Sequence, residues 1–194
     1  MSKKESARAT AVNELKAIYP VLFDDLVQAD ELFAGTPSDF FNRNRVRAYF
    51  AYVEGVAYVM RQITAVSLDG LDVLSEVDMN KLMDRKPTTL ACGKVEFRQY
   101  FMEMAESLRF TLSCYPAAHG INNYEPALGA GWNNMIAAIK IRKRVTHPKS
   151  VADLTLTPAE IACVDAARQW WYDSVRAMLT ACQQEDERLR QLQA

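Results

Sequence analysis

Residues 140–150 read KIRKRVTHPKS and gather five lysines and arginines beside one of the chain's two histidines. A guanidinium can hold a phosphate through two parallel hydrogen bonds, and an imidazole gains or loses a proton near neutral pH. Arg142 and His147 therefore have the chemistry for work on phosphodiesters, one neutralising charge and the other moving protons. Lys140, Lys143, Arg144 and Lys149 surround the pair, and no Asp or Glu occurs from residue 126 to residue 152. The positive charge is local, because the 194-residue chain has a formal net charge of −1.

The element that must position these groups is a helix over about residues 130–146. On a wheel at about 100° per residue, Arg142 falls in the middle of an apolar stripe with Met135, Ala138, Ile139 and Val145. Lys140 and Arg144 fall on the opposite, solvated side. An arginine in such a seam is costly unless a carboxylate, a partner chain or a bound phosphate satisfies it. The helix is predicted to stop at Thr146, because His147 precedes Pro148 and a residue before proline is pushed out of helical geometry. A break there lets the imidazole turn back toward the arginine.

Seven glycines and seven prolines are few for this length and favour long helices. The pattern predicts a helix over residues 7–33, broken near Pro20, and a second that opens at Ser38 or Asp39 and runs to about residue 66. A short helix follows over residues 78–85. Alternation around Cys92–Gly93 predicts a small β-hairpin near residues 88–98, and helical periodicity resumes over residues 97–115. His119, in the stretch YPAAHGINNYEP, reads as a solvated loop residue. The last helix has the clearest start, with Thr157 as N-cap, Pro158 in the first helical position and Glu160 completing a capping box. Its charged tail, from about residue 183 to residue 194, is expected to fray. Trp170 and Trp171 cannot face the same way on that helix; one is read as core, the other as an interface or base-stacking residue. The fold class is all-α: a single up-and-down bundle of about five helices, one domain over residues 1–194.

Several functional classes are argued against by composition. The N-terminal charges are followed by no apolar run of the signal-peptide kind. The most apolar helical segment is interrupted by Glu54 and is too short to span a bilayer, so no membrane partner is expected and the predicted location is cytoplasmic. Four cysteines lie far apart in sequence and read as reduced thiols. Neither HExxH nor a paired CxxC occurs, so no metal and no cofactor is expected. A pI near 6.2 without a base-reading helix argues against a DNA-binding protein.

The stretch from Arg142 through His147, followed by Pro148, fits the R-x(4–6)-H motif of HEPN domains, which place it at the end of a long helix. Together with GWNNMIAAIKIRKRVTHPKS and LTLTPAEI…ARQWW, it resembles the C-terminal half of HEPN proteins from bacterial defence loci, over about residues 130–172. Before that the resemblance is architectural. It implies an HEPN-like helical bundle and a homodimer in which two motifs form one composite, metal-independent RNA-cleaving site. It also implies a toxin–antitoxin or antiviral setting, an RNA substrate, and a cognate antitoxin or sensor protein as partner. By the same resemblance Arg142 and His147 are catalytic, while Lys140, Lys143, Arg144 and Lys149 guide the RNA backbone. A seam around Trp132, Met135 and Ile139 is expected at the twofold interface. Many family members carry an acidic or amide residue on the second helix near the motif arginine, and Glu54 is the candidate here. Pattern alone equally allows Glu54 to pair with Arg47 or Arg61 on its own helix. The alternative function is a non-catalytic dimerisation or regulatory module, since a fold does not establish an activity.

Overall fold

Long runs with few helix breakers become long helices. A computed structural model describes residues 3–35 and 38–193. These residues form α1 (Lys3–Gly35), α2 (Asp39–Leu68), α3 (Glu76–Leu82), α4 (Met104–Cys114), α5 (Gly129–Thr146) and α6 (Pro158–Gln193). Strands β1 (Arg85–Thr89) and β2 (Val95–Gln99) pair antiparallel between α3 and α4. Short 3-10 turns, Tyr115–His119 and Val151–Leu154, follow α4 and α5. The fold is mostly helical with one small sheet, and has six α-helices where about five are predicted.

Local signals set the starts of α2, α3 and α6. Ser38 Oγ accepts from the Phe41 amide at 3.3 Å ahead of α2, and Ser75 Oγ accepts from the Asp78 amide at 3.1 Å at the start of α3. At α6 the predicted capping box is formed. Thr157 Oγ1 accepts from the Glu160 amide at 3.2 Å, and Glu160 Oε2 accepts from the Thr157 amide at 2.9 Å.

Four expectations are corrected. Helix α1 is continuous through Pro20. Pro20 and Lys16 are both exposed, so the carbonyl that proline leaves without a donor can be met by water. The helix predicted from residue 97 begins only at Met104, because residues 95–99 pair in register with residues 85–89 and Tyr100 donates to Asp84 O at 2.8 Å. Gly93, at φ 80°, supplies the left-handed turn residue that the hairpin needs. The charged tail stays helical to Gln193, helped by Arg188–Glu185 at 2.5 Å and Gln183–Glu187 at 3.0 Å; Ala194 lies outside the described residues. His119 is not a solvated loop residue. It ends a 3-10 turn, with Nδ1 3.0 Å from Asp186 Oδ2 and its ring beside Tyr115.

Two compact units can be distinguished in the chain. The first contains residues 1–14, 57–125 and 178–194, and the second residues 15–56 and 126–177. No linker marks the division in the sequence, because three of its four crossings fall inside α1, α2 and α6. In the first unit Ala65, Leu82 and Cys114 form a cluster with Met79, Met83 and Phe110 packed on it. Arg61 is buried there and donates to Ser107 and Asp84. In the second unit Leu26, Tyr49, Phe50, Val53, Met135, Ala138, Val145 and Trp171 are buried. Asp30 of α1 binds both Arg45 of α2, at 2.6 Å, and Arg168 of α6. Arg45 also reaches Asp165 at 2.5 Å, so ion pairs join the α1, α2 and α6 segments of this unit.

Helices α5 and α6 meet closely at Gly131, where an added Cβ would run into the ring of Trp170. Overpacking costs about 1–3 kcal/mol, and the helix-propensity gain from glycine to alanine returns at most about 1 kcal/mol. Gly131→Ala is therefore expected to lower the unfolding free energy in urea by about 1 kcal/mol. Unchanged or raised stability would mean that the Trp170 ring is free to move aside.

Candidate functional site

Helix α5 buries Met135, Ala138, Ile141 and Val145. That stripe is rotated from the predicted one, since it takes in Ile141, and Arg142 stands at its margin instead of its centre. The Arg142 side chain is 29% exposed, and its Nη2 lies 2.7 Å from Glu54 Oε1 on α2. Of the two readings of Glu54, the contact with Arg142 is the one found. Arg47 and Arg61 are engaged elsewhere, Arg61 with Asp84 and Ser107. Glu54 Oε1 is shielded from water and accepts no aligned hydrogen bond, so the contact with Arg142 is Coulombic. Burial raises the Glu54 pKa, the Arg142 charge lowers it, and burial wins, leaving the carboxyl above its ordinary value.

Arg47 holds the far end of α5. Its Nη2 donates to Val145 O at 2.8 Å, which places a cation on a carbonyl of the last turn, where the helix dipole favours positive charge. His147 lies just outside the helix at φ −126° and ψ 62°, as Pro148 requires, and its amide donates to Lys143 O at 3.0 Å. The imidazole is exposed, and so are Lys140, Lys143 and Lys149.

Arg144 departs from the expected solvated face. It donates to Thr155 O at 3.1 Å and Ala152 O at 3.3 Å, and its Nη2 is 2.6 Å from Glu160 Oε1. The side chain, expected to guide RNA, ties the α5–α6 loop to the cap of α6. Burial works against ionising Glu160, but the Thr157 amide and hydroxyl and the Arg144 guanidinium together hold its carboxyl below the ordinary value. The acid-free stretch also ends close to the site. Asp153 accepts from the amides of Lys149 at 2.8 Å and Ser150 at 2.9 Å, and the Lys149 amide leads the contacts that lower its pKa.

The seam expected at a twofold interface belongs largely to the chain's own fold. Met135 is fully buried, and Trp132 packs on Trp170 with ring centroids 5.2 Å apart. Trp170 Nε1 donates to Ala127 O at 2.9 Å and its ring is half-buried, whereas Trp171 is the core residue of the pair. Ile139 is half-buried.

The site thus brings together Arg142, Glu54 and, through the helix end, Arg47, with His147 one turn beyond on an exposed edge. Sequence reasoning missed the capping by Arg47 and the loop contacts of Asp153. An arginine on α2 that caps a helix end 98 residues away leaves no local signal. Among the described residues no three His, Cys, Asp or Glu side chains gather as metal ligands, and no helix is long and apolar enough to cross a membrane. Comparison with family models, curated proteins and solved structures finds no match to this chain.

The Glu54 carboxyl has a testable linkage. Its folded pKa lies above the unfolded value, so the native state binds this proton more tightly and ionised Glu54 opposes folding. That opposition is relieved as pH falls through the raised value toward the ordinary carboxylate range. In urea denaturation, the wild-type chain is expected to gain stability relative to Glu54→Gln between pH 7 and about pH 4. A relative loss over that window would mean that the attraction of Arg142 outweighs burial.

Proposed function

We propose that this protein is a metal-independent endoribonuclease of the HEPN kind, cleaving RNA at a composite site to which two protomers each bring Arg142 and His147. The observation that carries the reading is the pairing of a positioned arginine with a free imidazole at one helix end. Glu54 fixes Arg142 at the margin of the core, while His147 stands exposed just past the last turn. Five residues separate the two by about 7.5 Å along the axis and about 140° around it on an ideal helix, and the break after Thr146 leaves the imidazole free to swing toward the arginine. Exposed Lys140, Lys143 and Lys149 supply phosphate contacts around them.

In this mechanism the RNA 2′-hydroxyl attacks the adjacent phosphorus, and the bond to the 5′-oxygen of the next nucleotide breaks. His147 of one protomer takes the hydroxyl proton, and His147 of the second delivers a proton to the leaving oxygen. Arg142 stabilises the charge that builds on the phosphorane. Glu54 approaches Arg142 at Nη2, and an arginine has five N–H donors, so Arg142 can meet a phosphate without giving up its carboxylate. Glu54 is thus a positioning residue. The proposed setting is an HEPN-like up-and-down helical bundle acting in the cytoplasm within a toxin–antitoxin or antiviral system, restrained by a cognate antitoxin or sensor.

A second reading has its own support. Glu54 already answers the Arg142 charge within the chain, which is what a non-catalytic dimerisation or regulatory module requires. His147 separates the two: a module tolerates its loss and a nuclease does not.

Purified protein is expected to cleave single-stranded RNA in EDTA, to leave a 2′,3′-cyclic phosphate on the upstream fragment, and to spare DNA, which lacks the nucleophile. Arg142→Ala and His147→Ala should each slow cleavage by about 10²–10⁴. Lys149→Ala should only weaken binding and flatten its salt dependence. Cleavage that persists in His147→Ala, or that vanishes with EDTA, would overturn the mechanism.

A further inference from the structure

The β1–β2 ribbon carries charge and aromatic surface that the fold does not use. Between Arg85 and Gln99 it holds four cations, Arg85, Lys86, Lys94 and Arg98, against one carboxylate, Glu96, in a chain whose net charge is −1. Every strand residue but Thr88 is exposed, although β1 runs beside α3. An isolated two-stranded hairpin is marginal in water and gains stability by burying one face. This one leaves Val95, Phe97 and the neighbouring Phe101 at 52%, 50% and 72% exposure.

Two features of the ribbon point to one kind of occupant. Lys86 and Arg98 lie directly opposite each other across the strands, and like charges so placed repel. Neither has an ion-pair partner among the described residues, so a bound anion would relieve the repulsion. The cations also sit beside rings, Arg85 at 5.4 Å from the centroid of Phe97 and Lys86 at 5.7 Å from that of Tyr100, both within cation–π range. Next to them, between α3 and the hairpin, is a cavity of about 250 Å³ walled by Val77, Pro87 and Tyr100 and rimmed by Lys81, Arg85 and Lys86. Lys81 is shared with Glu106 at 3.3 Å. The volume falls below the roughly 300–1,000 Å³ of pockets for drug-sized ligands, so it suits a single ring-sized group.

We propose that the Lys86–Arg98 face of the hairpin and this cavity form a second binding surface for single-stranded RNA, with a base stacked on Tyr100 and a phosphate held between Lys86 and Arg98. A ring set beside cations matches a polymer of alternating bases and phosphates, and a concave, ring-sized cavity suits that polymer better than a flat lipid surface. The choice of RNA as the ligand rests on the nuclease reading of the α5 site.

The test measures binding of a short, labelled single-stranded RNA to the full chain by fluorescence anisotropy, in wild-type and non-cleaving His147→Ala backgrounds. Tyr100→Ala should weaken binding by about tenfold, as removal of a stacking ring does, and Tyr100→Phe should restore it. Lys86→Ala with Arg98→Ala should lower the slope of log affinity against log salt by about 0.7 for each phosphate that the pair neutralises. Unchanged affinity and salt slope in both variants would overturn the proposal. So would hairpin-dependent binding of phosphatidylserine–phosphatidylcholine vesicles by a chain that does not bind RNA. A chain that binds RNA through the hairpin but never cuts it upholds this proposal and defeats the nuclease mechanism; a chain that cuts RNA with hairpin variants at wild-type affinity does the reverse.

Discussion

A guanidinium placed where an apolar helix face meets water must have its charge answered there, and Arg142 meets that demand through Glu54. The pairing is not free of cost. Burial pushes the Glu54 carboxyl toward its neutral form, so the contact balances lost hydration against Coulombic attraction instead of adding simple stability. Its consequence is positional. With Arg142 bound to α2, and with Arg47 of α2 holding the Val145 carbonyl, the last turns of α5 are fixed at two points. Arg144 extends the same arrangement through the following loop to Glu160 and the start of α6. Three arginines thus set the helix end from which His147 projects.

That arrangement divides the basic cluster into two populations. Arg142 and Arg144 are held by carboxylates, and their directions are set by the fold. Lys140, Lys143, Lys149 and His147 are exposed and available to a ligand. Catalysis by positioned charge needs the first kind, since a donor that must reorganise during the reaction contributes less. Recruitment of a polyanion needs only the second. The hairpin repeats the second pattern in the other unit, with exposed rings added.

What the sequence made legible was local. The stop at Thr146 follows from His147 and Pro148, and the start of α6 from Thr157, Pro158 and Glu160; both features depend on residues within a turn of each other. The hairpin was visible in outline through Cys92–Gly93, but its length was not. Helical periodicity in residues 97–115 competed with cross-strand pairing, and the pairing of Gln99 with Arg85 kept the first residues of that stretch out of the helix. Pro20 misled because its cost depends on whether the neighbouring carbonyl reaches water, which is a property of the folded surface. His119 found its partner 67 residues away and Arg47 found its carbonyl 98 residues away, and no spacing rule spans those distances. Glu54 stood between: the sequence named it and offered two kinds of partner, and packing selected Arg142.

The central claim is that Arg142 and His147 meet one phosphodiester. It is tested most directly by nuclear magnetic resonance of the Arg142 guanidinium and the His147 imidazole during titration with an RNA whose cleavage-site 2′-hydroxyl is replaced by hydrogen. The account predicts that both groups shift together, with one shared affinity, and that Arg142 stays paired with Glu54 in the complex. Saturation of the protein with that RNA while both resonances stay unmoved would contradict it.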